Sequence, residues 1–134
     1  MKPDEHVAKA ARITRSMSKC RPDDYELIIE GAMLATNHYV NAALHKLGIR
    51  PPDVDIIHTD YLRVSEYRRL EILADDLLHT IEQIEELRAP YVRGCAAGGK
   101  KAARQARTLL DRAHLEFEAV EPNTLPMQDY LPSD

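Results

Sequence analysis

Residues 23–48 read DDYELIIEGAMLATNHYVNAALHKLG, and the fold turns on how this run is read. At roughly 100° per residue, Tyr25, Ile28, Ile29, Ala32, Thr36, Tyr39, Ala43 and Leu47 form one broad apolar stripe. Leu27 and Leu34 fall on the opposite side, in line with His38, Asn41 and His45. A helix that is apolar on two sides needs neighbours on several sides, or a second chain. Asp23 or Asp24 is the expected N-cap, and Gly48 the expected stop before Pro51-Pro52. The run is therefore the central helix of an all-α protein.

The flanking sequence supplies the helices to surround it. Val7, Ala10, Ile13 and Met17 repeat at helical spacing over residues 3–20, with Lys9, Arg12, Arg15 and Lys19 on the other side and Pro22 as terminator. After a loop, IRPPDVDI, residues 57–88 carry the stripe Leu70, Leu73, Leu77, Ile81, Ile84 and Leu87. HTDYLRVSEYRR fits that stripe less well, which predicts a short helix and a break near Val64 or Ser65. Pro90 stops the long helix, and Gly94, Gly98 and Gly99 predict a flexible loop. Residues 100–120 form the last helix, with Ala102, Ala106, Leu109, Leu110, Ala113 and Phe117 inward. Short connections between four such helices predict an antiparallel up-down four-helix bundle. It would occupy residues 1–120 as one domain, leaving 121–134 as an irregular tail, loose or draped on a neighbour.

Composition narrows the function classes. No Trp and one Phe, with many Ala, Leu and Glu, favour helix over strand. No apolar run approaches the ~20 residues of a membrane span, and the first residues lack a signal-peptide core. A cytoplasmic location is expected, with Cys20 and Cys95 as reduced, semi-buried side chains. A net charge of −4 excludes global attraction to nucleic acid, so such binding requires a local patch.

Chemistry can be sought in four places. Three D-x-x-H pairs occur, Asp55–His58, Asp76–His79 and Asp111–His114. Bundle metal sites use a related inward pair, but these do not point inward and read as surface charge and helix-end capping. His38 and His45 share a face with Asn41, flanked by Asn37 and Glu30, which suits a ligand cleft, a general base, or a wet or dimer-facing stripe. No G-x-S-x-G, Cys-His or phosphate-loop spacing is present. Arg88, Arg93, Lys100, Lys101, Arg104 and Arg107 crowd the glycine loop and its flanks, a patch able to take phosphates or an RNA backbone. The sequence thus designates no catalytic residue, metal ligand or cofactor.

Ala32 to Leu44, AMLATNHYVNAAL, resembles the A-x-x-A-x-x-H-x-x-x-A-x-L second helix of small HEPN-domain proteins (higher eukaryotes and prokaryotes nucleotide-binding). Gly48-Ile49 with Pro51, then His58, is similar to that family's helix end and following His segment. Leu87-Arg88-x-x-Tyr91 with Gly94 resembles its L-R-x-x-A-D-Y-G turn. The resemblance implies a HEPN-like homodimeric bundle acting in a toxin–antitoxin or defence-type module. It would bind nucleotide, RNA or a nucleotidyltransferase-type protein partner. Asn37, His38, Asn41, His45, Arg88, Tyr91, Arg93, Lys100, Lys101 and Arg104 are the ligand-binding candidates. HEPN RNases use R-x4-6-H, whereas Arg88 is followed by APYVRG with no His at that spacing, so binding rather than RNase activity is expected. The alternative is a metal-independent RNase or nucleotide hydrolase, with His38 or His45 as base and Arg88 stabilising charge.

Overall fold

A computed structural model describes residues 1–122. These form five α-helices: α1 (Pro3–Met17), α2 (Tyr25–Lys46), α3 (Val64–Leu73), α4 (Asp75–Arg88) and α5 (Gly99–Glu118). Thr59–Tyr61 makes a 3-10 turn and Ala89–Arg93 a π turn. No strand occurs among the described residues, and none of their helices is long and apolar enough to cross a membrane. The predicted tail lies mostly outside the described residues.

α2 is the hub. It packs against α1, α4 and α5, while α3 rests on α4. Ile28, Ile29, Val40 and Leu44 are fully buried, and full burial of each such side chain stabilises the fold by about 1.5–3 kcal/mol. The end of α2 is built as Gly48 promised. Its φ of 71° opens a left-handed turn in which Ile49 N donates to Leu44 O (2.9 Å) and Gly48 N to His45 O (3.1 Å). Ile49 and Leu44 are both buried, the hydrophobic contact that accompanies this Schellman motif. At the other end the expected cap differs. Asp24 occupies the N-cap but makes no side-chain cap bond; its carboxylate accepts from Arg21 N (2.8 Å) and closes the preceding turn.

The break expected near Val64 is present, and the long helix expected after it is itself divided. Before Val64 only the 3-10 turn is helical, and a second break falls at Ala74 (φ −153°, ψ 51°). Ala74 N still bonds Leu70 O (2.7 Å), and Ala74 O accepts from Leu78 N (3.1 Å), so few backbone groups are orphaned. Asp75 and Asp76 favour a new helix N-terminus there. Leu70, Leu77, Ile81 and Ile84 are buried on both sides of the break, which is why the periodicity runs through it. Pro90 ends α4 as an α-helix, yet the chain continues through the wider π turn to Arg93. α1 ends at Met17, short of residue 20, and Arg107 Nη2 donates to Met17 O (3.0 Å) at that end.

The side of α2 opposite its main stripe is not one face. Leu27 and Leu34 are 65% and 53% exposed, but Asn41 and His45 are buried within the chain. The 49–58 loop covers them. Asn41 takes both backbone groups of Ile56, donating to its O and accepting from its N at 2.8 Å each, and Asn37 Nδ2 donates to the same O (2.8 Å). Arg50 holds the loop to α3 through Glu66 (2.8 and 3.1 Å). Thr59 and His58 hold it to α4 through Glu85 (2.8 and 3.0 Å).

Candidate functional site

The loop so anchored carries Asp55 over the C-terminal half of α2, where α1 delivers His6. Asp55 Oδ1 meets His45 Nε2 at 2.7 Å and His6 Nε2 at 2.8 Å. The other nitrogen of each ring is also engaged. His45 Nδ1 donates to Arg50 O (3.1 Å), and His6 Nδ1 lies 2.8 Å from His38 Nδ1. The amino group of Met1 is 3.3 Å from Asp55 Oδ2. His6 is 1% exposed and the His45 ring is shielded, whereas Asp55 is 36% exposed, so the cluster opens to solvent on the loop side.

Burial lowers the pKa of His6, against the opposing pull of Asp55. Burial also lowers that of His38, assisted by His6 and Lys9. Burial alone would raise Asp55, but hydrogen bonds from His45 and His6 outweigh it and hold its pKa at about 2. Charge at the centre of the cluster is therefore negative on Asp55, with three imidazoles around it.

The sequence candidates separate into two groups. Asn37, His38, Asn41 and His45 lie together, but the two asparagines hold the loop, and only the histidines belong to the cluster. Arg88 is elsewhere: its Nε and Nη2 grip Glu30 (2.6 and 3.3 Å). At about 1.5 Å rise per residue, Glu30 lies about 12 Å from His38 and about 22 Å from His45 along α2. The structure does not bring Arg88 to the histidines. Tyr91 is half-buried against the core.

Arg93, Lys100, Lys101 and Arg104 are exposed, and none has a carboxylate partner among the described residues. Lys100, Arg104 and Arg107 rim a cleft of about 220 Å³ whose floor includes Pro22, Ile28 and Ala103. The helix beneath them begins just after Gly98 (φ 96°), with no acidic residue in its first turn and no side-chain cap. Two larger clefts are lined by carboxylates, Asp75, Asp76 and Glu116 in one and Asp60, Glu71 and Glu82 in the other.

Sequence reasoning misses His6 and Asp55 as site residues. It pairs Asp55 with His58, but His58 turns to Glu85 and Asp60; His79 pairs with Asp75 and His114 with Glu118. No local spacing signals the cluster, because its members come from α1, α2 and a loop. The one hint is the i, i+7 pair His38 and His45. No family profile, curated protein or solved structure matches the chain.

Proposed function

We propose that the protein is a HEPN-like binding protein whose ligand is phosphate-bearing, a nucleotide or RNA, taken at the basic end of α5. The observation that carries this reading is the cleft beside α5, with Lys100, Arg104 and Arg107 over an apolar floor. Cations at the rim suit phosphate oxygens, and an apolar floor suits a base or sugar face. Lys100 stands in the first turn of α5, so the positive end of the helix dipole adds to the cationic field at the rim. α1, α2, α4 and α5 would then be the four long helices of the HEPN-like up-down arrangement, with α3 as an outlying piece. Under the same reading a second copy sits on Leu27 and Leu34.

Charge reversal tests the assignment. Lys100→Glu with Arg104→Glu should abolish binding of a labelled single-stranded RNA, while Lys9→Glu, on exposed α1 surface, should leave it intact. Equal loss in both variants, or in neither, removes the cleft as the site. Binding without a covalent step is the reading that the separation of Arg88 from His38 and His45 within one chain supports; the RNase alternative would need base and charge stabiliser from two copies.

A further inference from the structure

We infer that His6, His45 and Asp55 form a binding site for a divalent transition-metal cation of the zinc class. This is independent of the phosphate reading, since the cluster lies toward the opposite end of α2 from the basic cleft. Three donor atoms, His6 Nε2, His45 Nε2 and a carboxylate oxygen of Asp55, lie within 4.8 Å of one another. Zinc takes such nitrogen and oxygen donors at about 2.0–2.2 Å, which in a tetrahedral site places donors about 3.3–3.6 Å apart. The two nitrogen–oxygen separations, 2.8 and 2.7 Å, are short of that by about 0.5–0.9 Å. Asp55 is on a loop, so a small outward shift of one side chain opens the site to the right size.

Counting protons strengthens the case. Arg50 O can only accept, so His45 Nδ1 carries a hydrogen. If His45 is neutral, its Nε2 then presents a lone pair to the Asp55 carboxylate, an acceptor facing an acceptor at 2.7 Å. The contact therefore holds either a hydrogen on Nε2 or a cation, and a cation can take that hydrogen's place while Nδ1 keeps its bond to Arg50 O. The second arrangement satisfies every group. His45 Nδ1 donates to Arg50 O, His6 Nδ1 donates to His38 Nδ1, and both Nε2 lone pairs with Asp55 Oδ1 face the metal. Ligating histidines commonly hand their second N–H to such an acceptor, which fixes the tautomer and the ring orientation. Two imidazoles and one carboxylate favour zinc or a neighbouring first-row ion over magnesium or calcium, which prefer all-oxygen sites. Three protein ligands, with the exposed Asp55 at the mouth, leave a coordination position for water or a small anion.

The test is a Zn²⁺ titration of the full chain, stripped with chelator, in competition with a chromophoric chelator. One equivalent should bind, and Asp55→Asn and His45→Gln should each weaken it by about tenfold or more. His79→Gln, on exposed α4 surface, should change nothing. Co²⁺ in place of Zn²⁺ should give visible bands that both ligand variants lose. Circular dichroism checks that the variants fold; if His45→Gln does not, the loop variant Asp55→Asn decides. Equal affinity in wild type and Asp55→Asn, or no saturable equivalent in the wild type, overturns the site and leaves an imidazolium–carboxylate pair.

Discussion

Asn41→Ala should be one of the most damaging single changes to the polar interior, and markedly worse than Asn37→Ala. Asn41 bonds both backbone groups of Ile56, whereas Asn37 donates only to its carbonyl. Removing Asn37 loses one hydrogen bond, a net contribution of about 0.5–1.5 kcal/mol, and Ile56 O keeps Asn41 as a donor. Removing Asn41 loses its two bonds to Ile56 and a third, from Nδ2 to Asn37 O (3.1 Å), and it leaves Ile56 N–H buried without a partner, which costs a further ~1–3 kcal/mol. The expected losses are about 1 kcal/mol for Asn37→Ala and about 3 kcal/mol or more for Asn41→Ala. Urea unfolding in the presence of chelator, followed by circular dichroism, reads both. The loop held by Asn41 carries Asp55, so the same variant should also show early loss of amide protection over residues 53–58 by hydrogen exchange. Equal destabilisation by the two alanines, or a loss under about 1 kcal/mol for Asn41→Ala, would refute the clamp.

Three further outcomes are expected. Gly48→Ala should destabilise by about 1–2 kcal/mol through left-handed strain alone, because nothing lies within 4 Å of the added Cβ; a neutral effect in urea unfolding would deny the Schellman end. His6 and His38 have folded pKa values below 6.5, so the unfolded chain takes up more protons as pH falls through that value. Their contribution is present above pH 6.5 and is lost as pH falls toward the folded values. In chelator the melting temperature should therefore drop between about pH 7.5 and about pH 5.5, less steeply in His38→Gln; an identical slope in that variant would count against the assignment. Leu34→Glu should convert a dimer to a monomer by light scattering, and an unchanged mass would remove Leu27 and Leu34 as the interface.

Much of the scaffold is legible in the sequence because helical periodicity is a local property. Ile28, Ile29, Ala32 and Tyr39 announce the buried side of α2, and Gly48 its end, without reference to any other segment. The break at Ala74 is not legible, since the stripe from Leu70 to Ile84 continues through it and only the acidic pair Asp75-Asp76 marks it. Asn41 and His45 are legible as a polar row on α2, but not what covers them: a loop of proline and aspartate gives no period, and its placement depends on Ile56, Arg50 and Thr59 meeting α2, α3 and α4. The His–Asp cluster is hidden for the same reason. His6 is an ordinary early-helix residue until α1 packs on α2, and Asp55 looks like a partner of His58 until the loop turns it the other way. The basic end is easier, because Arg93 to Arg104 lie close together in the chain.

The salt dependence of RNA binding tests the proposed function most directly. Fluorescence anisotropy of a labelled single-stranded RNA would be followed across a range of salt concentrations. Three phosphate contacts, from Lys100, Arg104 and Arg107 at the rim of the cleft, predict a slope of log affinity against log salt of about −2, shrinking in magnitude by about 0.7 for each cation removed. A salt-independent affinity, or a slope unchanged when Lys100 and Arg104 are both replaced by alanine, would contradict the account.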